Sequence, residues 1–194
     1  MNFINTYFKN ISSSIDGIDK NRLLKIIKIL KKLRNSQRRL FIIGVGGSAG
    51  NASHAVNDFR KLCNIDALTP VDNISEITAK TNDEGFDTIF DSYLKLSKFD
   101  KSDVLMIFSV GGGNITKKVS VNLIKAMKYA KAKKGKTISI VGKTDGYAYK
   151  NSDISILIDV KDKKLVTPVS ETFQALIWHL FVSHPDLQLN KTKW

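Results

Sequence analysis

The spacing of hydrophobic residues changes partway along the chain. In residues 20–35, leucine and isoleucine recur every three or four positions, which predicts an amphipathic helix, and Phe3 to Ile11 predicts a shorter helix before it. Leu40 to Ile43 is instead a continuous apolar run that ends in glycines, and the following NASHAVNDFRKLC has a helical period again. This part of the chain therefore predicts a strand, a turn and a helix.

The same alternation recurs through the rest of the chain. The further predicted segments are strands at 103–109, 136–142 and 154–160, a long helix from the VGGGN turn to about residue 134, and a final helix at 171–183. Strands that are apolar throughout and alternate with helices are typical of a parallel sheet covered on both faces. The sequence therefore predicts a three-layer α/β sandwich with a mainly parallel sheet of about five strands.

Length and composition limit the class of protein. With 194 residues and no repeat or linker, we expect one domain, made of a helical region (1–38), an α/β core (39–184) and a tail (185–194). The single cysteine, Cys63, excludes an internal disulfide and a zinc cluster of several thiolates, and it favours a reducing compartment. No segment reaches the ~20 apolar residues that span a bilayer. We expect a cytoplasmic protein without a membrane partner.

The net charge of +13 raises the question of a nucleic-acid partner. The positive charge is concentrated in residues 1–40 and 117–136, where lysines alternate with apolar residues at helical spacing. That pattern is typical of solvated helix faces, although it also suits a surface that attracts phosphates. Because no zinc-finger, RNA-recognition or helix-turn-helix pattern is present, we expect no specific nucleic-acid partner.

Two glycine-rich turns follow predicted strands. The first runs from Gly44 to Ser48 and the second from Ser109 to Asn114. In parallel sheets such turns lie at the carboxyl ends of the strands, where backbone N–H groups and helix starts bind anions. The first turn is not a dinucleotide fingerprint, because Ala49 stands where that motif needs glycine. Together the turns predict a small anionic ligand, with phosphate as the matching group.

Three residues on predicted helices have side chains that could bind a metal. His54 and Asp58 are four residues apart and so share one helix face, and His179 lies on the final helix, eight residues after Glu171. Imidazole and carboxylate ligands are common in open catalytic zinc sites. Each residue taken alone also fits a simpler role, as a core histidine or a surface carboxylate.

The motifs GVGGSAGNASHAVNDF, SVGGGN and ETFQALIWH resemble the sugar isomerase (SIS) domain family, and most closely its phosphoheptose isomerase branch. The resemblance implies a flavodoxin-like core and a homotetramer with binding sites between subunits. It also implies one zinc ion per subunit and a small phosphorylated sugar as substrate. The implied reaction interconverts sedoheptulose 7-phosphate and a heptose 7-phosphate for surface heptose synthesis.

The resemblance also implies roles for individual residues. Asp58 and His179 would be catalytic, and the zinc ligands would be His54, Asp58, Glu171 and His179. The substrate-binding positions would be Val45, Gly46, Gly47, Ser48, Asn82, Asp83, Ser109, Val110, Gly111, Asn114 and Glu171.

The chain departs from the usual pattern of this branch at several of these positions. Val45 replaces an asparagine, Asp58 a longer glutamate and Glu171 a glutamine, and the 109–114 turn has lost most of its hydroxyl groups. The lost hydroxyls favour an alternative function, a non-catalytic protein that binds a sugar phosphate or a protein partner. The retained His54, Asp58 and His179 favour the enzyme.

Overall fold

The fold is known from a computed structural model that describes residues 1–192. The helices are α1 (Asn2–Asp16), α2 (Lys20–Asn35), α3 (Gly47–Cys63), α4 (Ile74–Glu84), α5 (Ile89–Leu96), α6 (Val121–Ala132), α7 (Tyr147–Asn151) and α8 (Val166–Ser183). The strands are β1 (Arg39–Ile43), β2 (Asp66–Leu68), β3 (Val104–Ser109), β4 (Lys136–Val141) and β5 (Ile154–Leu157). Short 3₁₀ turns lie at Pro70–Asp72, Phe86–Thr88 and Lys163–Leu165.

The five strands form one sheet in the order β2-β1-β3-β4-β5, and every neighbouring pair is parallel. Successive residues of β1 enter opposite cores, with Leu40 and Ile42 on one side and Phe41 and Ile43 on the other. The first core is covered by α2, α3 and α8, and the second by α5, α6 and α7. The predicted three-layer α/β sandwich with a parallel sheet is confirmed. Over the described residues, no helix has the length and apolar character needed to cross a membrane.

Some element boundaries differ from the predicted ones. β2 was not located because its three residues lie at the sheet edge and include the exposed Asp66. The segment that contains α4 and α5 was likewise unassigned. The last helix begins at Val166, five residues before the predicted start, and Pro168 is tolerated because it lies in the first turn, where a missing N–H donor costs no intrahelical hydrogen bond.

Hydrogen bonds join the two amino-terminal helices to segments in the last part of the described chain. The Ser14 hydroxyl of α1 donates to the Asp159 carbonyl over 2.9 Å, and the Arg34 guanidinium of α2 donates to the Leu187 carbonyl over 2.7 Å. Leu187 is fully buried. The predicted tail therefore packs into the core around residue 187, and its last two residues lie outside the described part of the chain.

Candidate active site

The structure brings His54 and Asp58 of α3 together with His179 of α8. The Nε2 atoms of His54 and His179 lie 3.8 and 3.9 Å from Asp58 Oδ2, and one ligand atom from each residue lies within 4.8 Å of the others. The Asp58 side chain is only 6% exposed, whereas the imidazoles are 59% and 51% exposed. A buried carboxylate thus lies beneath two solvent-facing imidazoles.

This arrangement fits a metal ion better than a set of hydrogen bonds. The two Nε2 to Oδ2 distances exceed hydrogen-bond length. They are close to the ~3.4 Å separation of neighbouring ligands in a tetrahedral zinc site. His179 Nδ1 donates to the Ala175 carbonyl over 2.9 Å, so its Nε2 keeps the lone pair that binds metal. Asn57 Nδ2 donates to Asp58 Oδ1 over 2.9 Å and leaves Oδ2 for the imidazoles.

Trp178 is a member of this site that the sequence analysis did not single out. Its ring centroid lies 3.5 Å from that of His179 at an interplanar angle of 32°, and 4.7 Å from that of His54. The side chain is buried, and its Nε1–H has no hydrogen-bond partner among residues 1–192. Its position beside His179 was visible in the sequence, but a buried aromatic residue on an apolar helix usually belongs to the core.

Glu171 lies apart from the three donors. Two helical turns of α8, ~12 Å, separate it from His179. Its carboxylate rests over the amino end of α3, so close that a Cβ atom on Gly47 would lie 2.6 Å from the Glu171 carboxyl carbon. Asn51 holds the helices in this register by donating to the Glu171 carbonyl at 2.9 Å and to Gln174 Oε1 at 3.1 Å. Glu171 thus interacts with the electropositive start of a helix.

The first glycine turn leads directly into α3. Gly46 adopts a positive φ of 63°, and α3 begins at the next residue. Gly44 allows a close approach, since a Cβ atom there would lie 2.6 Å from the Ser48 carbonyl carbon. Ser48 is buried, and Val45 packs on the core that faces α5 and α6. Val45 thus makes an apolar contact at the position where this branch usually has an asparagine.

The second glycine turn is not followed directly by a helix, so the predicted long helix after VGGGN is wrong at its start. Asn114 and Val119 pair through two backbone hydrogen bonds, and α6 begins only at Val121. The Ser109 hydroxyl accepts from the Gly112 N–H at 2.9 Å. The Asn114 carboxamide accepts from the Lys117 N–H at 2.9 Å. Several of the groups expected to bind phosphate are therefore engaged within the loop, while Val110 and Gly111 are half-buried.

Asn82 and Asp83 lie away from the cluster, at the end of α4. Both are exposed, and Asn82 Nδ2 donates to Asp83 Oδ1 over 2.7 Å. No hydrogen bond joins either side chain to another predicted site residue within the described chain. Within a single chain, Asn82 and Asp83 therefore do not contact the cluster on α3 and α8.

Cys63 lies in the last turn of α3 and is fully buried. Burial raises the pKa of its thiol to about 11. A neutral thiol is a poor nucleophile and a poor metal ligand. The reactive groups of α3 are therefore His54 and Asp58.

Comparison with known proteins places these features in a family. The SIS domain family matches residues 6–142. A phosphoheptose isomerase from Nitratiruptor is 31% identical over 160 residues, which cover 80% of this chain and 76% of that protein. The lincomycin biosynthesis protein LmbN of Streptomyces lincolnensis is 32% identical over 148 residues, 73% of this chain, and the match spans about half of that protein (54%).

A solved structure gives the same fold. The phosphoheptose isomerase GmhA from Neisseria gonorrhoeae superposes with a TM-score of 0.79 at 21% identity, covering 93% of this chain and 96% of that one. The match of the family over most of the chain and the identity to the Nitratiruptor protein lead to one conclusion. The chain belongs to the SIS domain family.

Proposed function

We propose that the protein is a phosphoheptose isomerase, an aldose-ketose isomerase that acts on sedoheptulose 7-phosphate. The observation that carries the proposal is the cluster of His54, Asp58 and His179 on packed helices of an SIS fold. The likeness to the phosphoheptose isomerase from Nitratiruptor supports the same reaction. The chain keeps a carboxylate and an imidazole 3.9 Å apart, close enough for both to act on neighbouring atoms of one substrate.

The reaction moves two protons. A base removes a proton from C1 of the ketose and returns it to C2, while a hydroxyl proton moves from O1 to O2 through an enediol. Asp58 is suited to the first transfer because its carboxylate is held by Asn57. His179 is suited to the second because its Nδ1–H is anchored on the helix and its Nε2 is directed toward Asp58.

His54, Asp58 and His179 would hold a zinc ion, one per chain. A bound zinc ion would polarise the carbonyl and stabilise negative charge on oxygen. An imidazole that ligates through Nε2 carries no proton there, so the ligand role and the proton-transfer role of His179 exclude each other at any moment. Activity measured with and without zinc separates the two roles.

We also propose that each site is completed by a second copy of the chain. Ten residues separate Ser48 from Asp58, a rise of ~15 Å along α3. A phosphate at the first turn would therefore lie ~15 Å along the helix from Asp58 of the same chain. Both imidazoles are about half exposed. A second subunit would cover them and bring its own glycine turns or Asn82-Asp83 pair to the sugar.

An apolar surface beside His179 supports this assembly. A groove of about 500 Å³ lies between α1, α2 and α8, and its lining residues are Ile15, Ile18, Lys20, Leu23, Leu176, His179, Leu180 and Ser183. Phe3, Ile4 and Phe8 expose further apolar area on α1. Such contiguous apolar area is typical of subunit interfaces. We propose a homotetramer, as the family resemblance implies, in the cytoplasm.

The test is the formation of aldose phosphate from sedoheptulose 7-phosphate by protein stripped with chelator and by the same protein with zinc restored. Full activity without metal would contradict the zinc role. An Asp66→Asn variant is the matched control for any change at Asp58, because Asp66 is an exposed aspartate in the edge strand β2 and does not belong to the cluster. No turnover under any condition would favour the non-catalytic alternative.

Trp178 provides an optical measurement of metal binding. Its indole lies against His179, so a paramagnetic ion such as Co²⁺ held by the cluster should quench its fluorescence. The titration is made in a Trp194→Phe variant, which leaves Trp178 as the only tryptophan. We expect saturable quenching that is lost in His54→Ala. Unchanged fluorescence in the presence of bound Co²⁺ would place the metal elsewhere.

A further inference from the structure

The edge of the sheet opposite the glycine turns carries a concentration of positive charge. Helices α2, α3, α5 and α6 end there, and strands β1 to β4 begin there. The four connections, residues 32–39, 60–66, 95–103 and 131–136, contain thirteen lysines and arginines against three aspartates. Positive charge is therefore concentrated on this edge of the sheet as well as on the outer faces of the helices.

Helix dipoles explain only part of this charge. Each helix carboxyl end is equivalent to about half a negative charge, so four ends correspond to about two. Asp103, one of the three aspartates, is fully buried and paired with Arg39. The cations that remain outnumber what the helix ends and the other aspartates neutralise. The excess leaves this edge able to bind an anion.

A cavity of about 550 Å³ lies within this edge. Its lining residues are Ile29, Lys32, Leu33, Ser36, Arg38, Lys101, Ser102, Asp103, Val104, Lys134 and Lys136. Of these, Lys32, Arg38, Lys101, Lys134 and Lys136 are cationic, and none forms an ion pair within residues 1–192. The apolar wall is formed by the half-buried Ile29 and by the edges of the buried Leu33 and Val104. The cavity thus combines five cations with a hydrophobic surface.

The backbone around the cavity is held in place by buried contacts. Asp103 accepts hydrogen bonds from Arg39 Nε at 3.1 Å, from Arg39 Nη2 at 2.6 Å and from the Asp100 N–H at 3.0 Å. On the facing side, a Cβ atom on Gly135 would lie 2.6 Å from Phe99 Cζ, so the turn between Lys134 and Lys136 is packed against a core ring. The lysines therefore extend from ordered backbone, which lowers the entropy cost of binding.

We propose that this cavity binds a small molecule in which a chain of phosphate groups is joined to a flat apolar group, as in a nucleoside triphosphate. The five cations match a ligand with several adjacent negative charges, and the apolar wall matches a base. Asp100, next to the cavity, accepts the Ser102 N–H and keeps its negative charge, which the five cations of the cavity outnumber. The proposal is independent of the proposed isomerase activity, since the cavity and the cluster share no residue.

The test is isothermal titration calorimetry of the full chain with ATP at physiological ionic strength. We expect one ATP per chain with a dissociation constant below about 1 mM. Replacing Lys101, Lys134 and Lys136 with glutamine should weaken binding ~10-fold or more, because each lost charge-assisted contact is worth more than a neutral hydrogen bond. Ser36→Glu should also weaken binding, since it places a negative charge at the cavity.

The matched control replaces three exposed lysines that lie outside the cavity lining, Lys9, Lys128 and Lys163, with glutamine, which removes the same charge from other surfaces. ATP affinity close to wild type in this control supports the site. An equal loss in both triple variants would overturn it as general charge attraction. Inorganic tripolyphosphate binding as tightly as ATP would overturn the role of the apolar wall. Tighter binding of duplex DNA that is lost in the first triple variant would overturn the small ligand in favour of nucleic acid.

Discussion

The two glycine-rich turns have similar sequences but different structures. Residues 44–48 lead into α3 without interruption, and the helix that follows carries His54 and Asp58. Residues 109–114 lead into a short turn closed by Asn114 and Val119, and the following α6 packs into the second core without contributing a donor to the cluster. The first turn orients a reactive helix, whereas the second is a self-contained loop.

The difference shows that a glycine turn after a strand does not by itself define an anion site. What matters is where the helix begins and which N–H groups remain available. At the first turn, Gly47 starts the helix, and the carboxylate of Glu171 already rests over that end. At the second, the Gly112 and Asn114 N–H groups have acceptors within the loop. Substitutions in each region can test this contrast.

The largest effect is expected on the helix that the first turn orients. Asp58→Asn should slow turnover of sedoheptulose 7-phosphate ~10²–10⁴-fold, because the amide cannot accept a proton. Asp58→Glu should also lower activity, because a base misplaced by about 1 Å can cost ~10²-fold. The measurement is steady-state turnover, with circular dichroism as the check on folding. Wild-type turnover by Asp58→Asn would remove Asp58 from the mechanism.

Next comes a matched pair of glycine substitutions, one in each turn. Gly44→Ala should lower the free energy of unfolding by ~1–3 kcal/mol, because its Cβ would collide with the Ser48 backbone, which cannot move aside. Gly111→Ala should change it by less than ~0.5 kcal/mol, because no atom lies within 4 Å of the added Cβ. Urea unfolding measures both. Equal effects would mean that the turns are equally constrained.

A smaller effect is expected inside the second turn. Ser109→Ala removes the acceptor of the Gly112 N–H in a buried position and should cost ~1–2 kcal/mol. Ser109→Thr keeps the hydroxyl and serves as the control. The free energy of unfolding is again measured in urea. If Ser109→Ala were as stable as wild type, the loop would not depend on its own hydrogen bond.

The smallest effect is expected where Glu171 meets the start of α3. Gly47→Ala gains up to ~1 kcal/mol of helix propensity but must displace the Glu171 carboxylate. We therefore expect little net change alone and a clear stabilisation in a Glu171→Ala background. The double-mutant cycle should give a coupling of ~0.5–1 kcal/mol. Additive effects would show that the carboxylate does not rest over the helix end in solution.

Much of the fold could be predicted from periodicity, because four of the five strands are largely apolar and mostly buried. Strand β2 is not predicted by the periodicity, because three residues at a sheet edge, one of them exposed, carry no periodic signal. The start of α6 was misplaced because the pairing of Asn114 with Val119 depends on backbone hydrogen bonds that composition does not reveal.

The candidate site was predictable only in part. The four-residue spacing of His54 and Asp58 predicts a shared helix face, but the approach of His179 depends on the packing of α8 against α3. The spacing of eight residues between Glu171 and His179 already made a shared ion difficult, and the structure separates them. Trp178 could not be assigned because core and site aromatics look alike in a helical sequence.

The hydrogen bonds that join α1 and α2 to the later part of the chain have a consequence for protein synthesis. Helices α1 and α2 are synthesised before the segments that carry the carbonyls of Asp159 and Leu187, to which Ser14 and Arg34 donate. Until then, the apolar face of α2 lacks part of its covering and is exposed to other nascent chains.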